Sequence, residues 1–87
     1  MLWHSIRVTK HFIEEVLPDR EYLVDIPHRI REAISNPIEQ QEQMDGQTRR
    51  WVFVPETGHY LSVVVAADGE TVVTAFRDRG YARSHRG

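Results

Sequence analysis

Three turn signals that contain glycine lie at nearly regular spacing in the second half of the chain: Asp45-Gly46, Thr57-Gly58 and Asp68-Gly69. A dipeptide of this kind between two extended runs is a strong local indication of a β-hairpin. Asp-Gly in particular is typical of a type I′ turn, in which both central residues have positive φ. Three hairpin turns in succession predict four consecutive antiparallel strands, which form a β-meander.

The runs between these turns predict the strands themselves. They read IEQQEQM (38–44), TRRWVFVPE (48–56), HYLSVVVAA (59–67) and ETVVTAFRD (70–78). The first run is polar, so we expect it at an edge of the sheet, where one side of a strand is solvated. The third run is apolar on both faces, which predicts a central strand.

A first amphipathic helix is predicted at 10–17, with Thr9 in the position of an N-cap. Its apolar residues recur at helical spacing and predict one buried stripe. The stripe comprises Phe12, Ile13, Val16 and Leu17. Pro18 is predicted to end this helix, because the residue before a proline is displaced from the α region.

A second amphipathic helix is predicted at 26–35, between a cap at Asp25 or Ile26 and a stop at Asn36-Pro37. Pro27 is tolerated in the first helical turn, whose N–H groups have no partner within the helix. The predicted buried face comprises Ile26, Ile30, Ala33 and Ile34. The two helices can cover the apolar face of the sheet. The predicted fold is therefore α+β, with two N-terminal helices packed on a four-stranded antiparallel β-meander in the order ααββββ.

Length and composition limit the class of protein. A chain of 87 residues is long enough for one domain, here 1–87. The absence of cysteine excludes a disulfide framework, a thiolate zinc site and a cysteine nucleophile. No stretch approaches the roughly 20 apolar residues of a membrane-spanning helix, and the first residues lack the pattern of a signal peptide. We therefore expect a cytoplasmic protein that does not associate with membranes.

Charge is distributed unevenly along the chain. The segment 12–45 contains nine acids and three arginines, a formal charge of -6. The segment 77–87 contains one aspartate and four arginines, a formal charge of +3; the arginines are Arg77, Arg79, Arg83 and Arg86. Such a basic edge can bind a phosphate backbone through counterion release. The alternative is a solvated, flexible basic tail at 81–87.

Several basic and hydroxyl residues are candidates for chemistry. None of the five histidines forms the pair at i, i+4 that a helical zinc site requires, and no glycine-rich phosphate loop is present. Cleavage of RNA without a metal needs a base for the ribose 2′-hydroxyl and cations for the phosphate. The candidates for these tasks are Lys10, His11, Arg49, Arg50, Thr74, Arg77 and Arg79.

Each of these residues also has a structural interpretation. His11 can be a helix-terminal residue without a further role. Arg49 and Arg50 can be an exposed pair opposite the glutamates of the first strand. Thr74 can reflect no more than the strand propensity of threonine.

Four short motifs resemble those of small bacterial domains related to the RelE, ParE and BrnT toxins. They are TKH at the start of the first helix, AISNP at the end of the second, DG-x-x-RRWVFVP on a strand, and the terminal VVTAF strand. These domains belong to the wider group that includes barnase, EndoU and the nuclease colicins. The resemblance extends over 6–81, and the predicted ααββββ order is similar to the core of that group.

The resemblance implies a metal-independent ribonuclease of the toxin type, which cleaves RNA by attack of the 2′-hydroxyl and is inhibited by an antitoxin. His11 would then act as acid or base, Lys10 would be a further catalytic residue acting on the phosphate, and Thr74 would position the substrate. The phosphate-binding residues would be Arg49, Arg50, Arg77 and Arg79, and Arg20 is the arginine expected to face the first helix. No cofactor is expected. The candidate partners are RNA, free or on the ribosome, an antitoxin protein and a second copy of the chain.

A second hypothesis is a non-catalytic interaction domain of the same fold, which pairs through its sheet edge or its helix face. The net charge of -2 favours it, because ribosome-dependent toxins of this type are usually strongly basic. Geometry discriminates between the two hypotheses. In a ribonuclease, Lys10, His11, Thr74, Arg77 and one of the paired arginines should converge on one concave patch.

Overall fold

The structure of the protein is a computed structural model, which describes residues 5–84 and, within that range, the side chains up to Tyr81. The fold is α+β. We label the elements as follows: α1, made of a π-helix at Phe12–Val16 and an α-helical turn at Leu17–Asp19; a 3₁₀ turn at Glu21–Leu23; α2 at Pro27–Ser35; β1 at Glu39–Glu42; β2 at Thr48–Val54; β3 at His59–Val65; β4 at Val72–Arg77; and α3 at Arg79–Ser84.

The four strands form one antiparallel sheet in the order β1-β2-β3-β4, as the hairpin signals predict. The polar strand β1 lies at an edge and all four of its residues are exposed. The apolar strand β3 lies inside the sheet, between β2 and β4. Val8, which precedes α1, forms a parallel β-bridge with Val72, the first residue of β4. This bridge places the start of α1 beside β4.

The turns differ in type from the prediction. Glycines 46, 58 and 69 have φ of 87°, 73° and 78°, but no other described residue has positive φ. Asp45 and Asp68 are therefore not in type I′ turns. Instead each aspartate accepts a backbone N–H two residues later, and Asp68 also accepts the hydroxyl of Thr71. The Thr71 hydroxyl and the N–H groups of Glu70 and Thr71 lower the pKa of Asp68 to about 2.

One hydrophobic core lies between the helices and the sheet. Phe12, Leu23, Ile30 and Ala33 contribute side chains with no exposed surface. From the sheet come the inward residues of β2, β3 and β4, namely Val52, Val54, Leu61, Val63, Val65, Val72 and Ala75. Ile34 is partly buried against this core, as the predicted face of α2 requires.

The first helix is the least regular element, and two details of its prediction are wrong. Pro18 does not end it, because the helix continues to Asp19. The N–H of Leu17 donates to the carbonyl of Phe12, five residues back, and the N–H of Arg20 donates to the carbonyl of Val16, so helical hydrogen bonds lie on both sides of the proline. Ile13 is 54% exposed rather than buried. A π-helix has more residues per turn than an α-helix, so a stripe laid out at α-helical spacing does not stay on one face.

The flexible tail predicted at 81–87 overlaps a helix in the part of it that the structure describes. Helix α3 occupies 79–84, and Tyr81 is buried against Trp51 and Tyr60, with ring centroids 5.1 Å apart in both pairs. Asp78 accepts the N–H of Tyr81 at 2.9 Å and so caps the helix. The structure does not describe residues 85–87, which include Arg86, or the side chain of Arg83.

Candidate active site

A groove of about 510 Å³ lies between α1 and β4. It is lined by His11, Glu15, Val16, Asp19, Arg20 and Thr74. Helix α1 packs on β4, and the N–H of Thr9 donates to the carbonyl of Val72 at 3.0 Å, so the helix runs beside the strand from its first turn. The fold thus brings together three candidate residues, His11, Arg20 and Thr74, that are distant in sequence.

His11 lies at the N-terminal end of α1, and its Nδ1 is 2.7 Å from Oε2 of Glu15. Because an ionised carboxylate only accepts hydrogen bonds, the Nδ1 atom carries the proton of this contact. In the neutral ring, Nε2 then has a lone pair that can take a proton from another group. Glu15 lies four residues after His11, which is the spacing that brings side chains together on a helix. The i, i+4 spacing of His11 and Glu15 is therefore the feature of the sequence from which this contact can be inferred.

Arg20 follows the last residue of α1, where its N–H donates to the carbonyl of Val16 at 3.0 Å. Its side chain has no hydrogen-bond or ion-pair partner among the described residues, so its guanidinium donors are available to a ligand. A guanidinium group can bind a phosphate in a bidentate manner. The carboxylates of Glu15 and Asp19 line the same groove, so the local field is mixed rather than strongly positive.

Lys10 does not line the groove, although it precedes His11. Its side chain is 89% exposed, and its Nζ lies 3.8 Å from Glu14. An exposed pair of this kind contributes little to stability.

Arg49 lies on the face of the sheet opposite α1 and α2. It donates to Ser62 at 2.7 Å and to Asp78 at 2.8 Å, and its guanidinium carbon is 5.1 Å from the ring centroids of Trp51 and Phe76. Burial would raise the pKa of Asp78, but hydrogen bonds from Trp51, the N–H of Tyr81 and Arg49 lower it below its ordinary value. Arg49 is therefore part of a network that fixes α3 to the sheet.

Arg50 points to the opposite face, because side chains alternate along a strand. It donates from Nη1 to the carbonyl of Ile34 at 2.6 Å, at the C-terminal end of α2. The two neighbouring arginines therefore do not face one phosphate. They also do not lie opposite glutamates, because the register pairs Arg49 with Gln41 and Arg50 with Gln40.

Arg77 lies at the end of β4, outside the groove. Its guanidinium carbon is 4.2 Å from the ring centroid of Tyr22, and its backbone N–H donates to the Tyr22 hydroxyl at 3.1 Å. Its Nε atom is buried without a hydrogen-bond partner among the described residues. Arg79 is exposed on α3 and also lies outside the groove. The structure thus brings His11 and Thr74 into one groove, whereas Lys10, Arg77 and the paired arginines lie outside it, so the complete convergence expected of a ribonuclease does not occur.

In comparisons with protein families, curated proteins and solved structures, no match to this chain was found. Over residues 5–84, no helix has the length and apolar character needed to cross a membrane. Within the same part of the chain, no three histidine or acidic side chains are grouped closely enough to hold a metal ion.

Proposed function

We propose that the protein is a metal-independent ribonuclease of the toxin type, acting in the cytoplasm, with its site in the groove between α1 and β4. The observation that supports this proposal best is the meeting of His11, Arg20 and Thr74 in one groove. An imidazole can act as a base for the ribose 2′-hydroxyl, a guanidinium can stabilise charge on the phosphate, and a hydroxyl group can hold the substrate by a hydrogen bond.

The roles follow from the contacts. Glu15 orients the His11 ring by accepting its Nδ1 proton, and Nε2 takes the proton of the ribose 2′-hydroxyl. The 2′-oxygen then attacks phosphorus, and the bond from phosphorus to the 5′-oxygen breaks. The products are a 2′,3′-cyclic phosphate and a 5′-hydroxyl, which takes its proton from water, and the hydroxide that remains takes the proton back from His11. Arg20 stabilises the negative charge on the phosphate during attack, and Thr74 positions the substrate.

The charges around the groove indicate how tightly RNA would bind. Arg20 supplies one guanidinium, whereas Glu15 and Asp19 supply two carboxylates that repel a phosphate backbone. We therefore expect weak binding to free RNA. Productive binding would then need a further contribution, such as the ribosome.

The test is cleavage of RNA by purified protein in the presence of EDTA, with analysis of the product ends. The proposal predicts 2′,3′-cyclic phosphate ends and a His11→Gln variant whose rate falls while its RNA affinity changes little, because proton transfer occurs only in the transition state. His28→Gln is the matched control, since His28 lies on α2 and contacts Glu56 instead of the groove. Cleavage should be measured on free RNA and on translating ribosomes. Equal rates for His11→Gln and wild type would contradict the assignment.

The second candidate function is that of a non-catalytic interaction domain, and a different observation supports it. Arg49, Arg50 and Arg77, which the sequence assigned to phosphate, all contact groups of the protein itself. In the helical layer, Ile13 and Val24 are 54% and 48% exposed, and an antitoxin or a second copy could cover them. Absence of cleavage on both substrates, together with unchanged growth when the protein is expressed, would favour this function.

A further inference from the structure

A second concave site lies on a different part of the molecule, between the N-terminal segment and the C-terminal end of α2. It has a volume of about 240 Å³ and is lined by Ser5, Arg7, Arg31, Ile34, Ser35 and Glu70. We call it the arginine hollow. It shares no lining residue with the groove between α1 and β4.

The two arginines of the hollow are held only loosely by the protein. Arg31 donates from Nη1 to the carbonyl of Ser5 at 3.4 Å, a long contact. Nη1 of Arg7 lies 3.4 Å from Oε2 of Glu70. The two side chains are 74% and 63% exposed, so solvent and salt weaken this ion pair. Both guanidinium groups therefore retain donors for a ligand.

The end of α2 would ordinarily repel an anion, because the last carbonyls of a helix carry partial negative charge. Here three carbonyls in the last turns of α2 accept hydrogen bonds. The carbonyl of Arg31 accepts the Ser35 hydroxyl at 3.1 Å, that of Glu32 accepts the N–H of Asn36 at 2.7 Å, and that of Ile34 accepts Arg50 at 2.6 Å. Arg50, which does not line the hollow, also brings a positive charge to the carbonyl of Ile34 at this end of the helix. The helix end is thereby made compatible with a negative ligand.

We propose that the arginine hollow binds a phosphate group, with Arg31 and Arg7 as its cationic partners and Glu70 as a competing carboxylate. Guanidinium groups are suited to this ligand because their planar donors match two oxygens of a phosphate. The volume is below the roughly 300–1,000 Å³ of sites for drug-sized ligands, so the hollow fits a phosphate with a small substituent. The source of the group is a free phosphate or phosphomonoester, or a phosphodiester of RNA.

The test is a titration of ¹⁵N-labelled protein with inorganic phosphate at constant ionic strength, with chloride as the reference anion. The proposal predicts saturable shifts at Arg7, Arg31 and Ser35 with phosphate only. Arg31→Gln should weaken binding about tenfold, since it removes charge-assisted hydrogen bonds. Glu70→Gln should strengthen binding, because it removes the competing carboxylate.

Arg29→Gln is the matched control, because Arg29 lies on the same helix as Arg31 but pairs with Glu32 and Glu56 instead of lining the hollow, so its loss should leave phosphate affinity unchanged. A short RNA without terminal phosphates distinguishes the sources: shifts at the same residues indicate a phosphodiester, and their absence indicates free phosphate or a phosphomonoester. His11→Gln should not affect phosphate binding, so this test is independent of the ribonuclease proposal. Non-saturable shifts, equal shifts with chloride, or unchanged affinity in Arg31→Gln with native circular dichroism would overturn the proposal.

Discussion

Asp78 offers a sharp test of how the last helix is held to the sheet. Its carboxylate accepts three hydrogen bonds, from Trp51 Nε1 at 2.9 Å, from Arg49 Nη2 at 2.8 Å and from the N–H of Tyr81 at 2.9 Å, and its side chain is 11% exposed. Asp78→Ala removes all three acceptor contacts. We expect this variant to lose a large part of the stability of the protein.

The expected loss in the free energy of unfolding is the sum of the contributions of the separate contacts of Asp78. The loss of the helix cap costs about 1 kcal/mol, and the unpaired indole N–H of Trp51 costs about another 1 kcal/mol. The Arg49 side chain is 32% exposed, so water partly replaces its partner, and we assign about 1 kcal/mol to this ion pair. The expected loss is about 3 kcal/mol. A domain of this size has roughly 4–13 kcal/mol in total.

The assay is equilibrium unfolding in urea at pH 7 for wild type, Asp78→Ala and Asp78→Asn. The amide oxygen of asparagine can still cap α3 and accept a hydrogen bond, so Asp78→Asn should lose only about 1 kcal/mol. A loss below about 1 kcal/mol for Asp78→Ala, against the roughly 3 kcal/mol derived from its contacts, would refute the reasoning. Equal losses for the two variants would show that the contacts which asparagine retains, the cap of α3 and one accepted hydrogen bond, contribute nothing.

The pH dependence provides an independent check on the same residue. The pKa of Asp78 is lowered in the folded protein, so its contribution is complete above the ordinary aspartate pKa of about 3.9. It is lost as the pH falls through the lowered folded-state pKa. The stability difference between wild type and Asp78→Asn should therefore be constant from pH 5 to 7 and shrink in acid.

Three further predictions concern other parts of the fold. Ile30 has no exposed surface, so Ile30→Ala should cost about 2–5 kcal/mol in urea unfolding, and a loss below about 1 kcal/mol would contradict its place in the core. Gly58→Ala should cost about 1 kcal/mol because Gly58 has a φ of 73°, whereas Gly80→Ala, in α3 and without positive φ, should be neutral or slightly stabilising. Hydrogen bonds from Arg29 and His28 lower the pKa of Glu56 to about 2, so NMR should show its carboxyl titrating near pH 2; a midpoint near 4.5 would show that these bonds do not form in solution.

The sheet could be predicted from the sequence because its signals are local. The glycines at 46, 58 and 69 mark the three turns, and the strand order follows directly from a meander. The ends of α1 and the position of Ile13 could not be predicted in this way. The π-helix changes the angular spacing of side chains, and no residue type marks such a turn.

Helix α3 could not be predicted because it is short and depends on tertiary contacts. Six residues with a glycine at the second position do not form a stable helix alone. Asp78 and the stacking of Tyr81 on Trp51 stabilise it, and these partners are distant in sequence.

The candidate site could be predicted only in part. Residue types indicated His11, Thr74 and the arginines, but the alternation of strand β2 sends Arg49 and Arg50 to opposite faces. The guanidinium of Arg77 packs on the ring of Tyr22, and the backbone N–H of Arg77 donates to the Tyr22 hydroxyl. These two residues are distant in sequence. Such contacts cannot be inferred from composition or spacing.

The most direct test of the proposed site is a titration of ¹⁵N-labelled protein with an RNA oligonucleotide in which every 2′-hydroxyl is methylated, so that it cannot be cleaved through a 2′-hydroxyl. The titration extends to high oligonucleotide concentration, because binding to free RNA is expected to be weak. The proposal predicts saturable shifts of the His11 imidazole and of the backbone amides of Arg20 and Thr74, and their loss in Arg20→Gln. Shifts confined to residues outside the groove, or no saturable shift at any of these three residues, would contradict it.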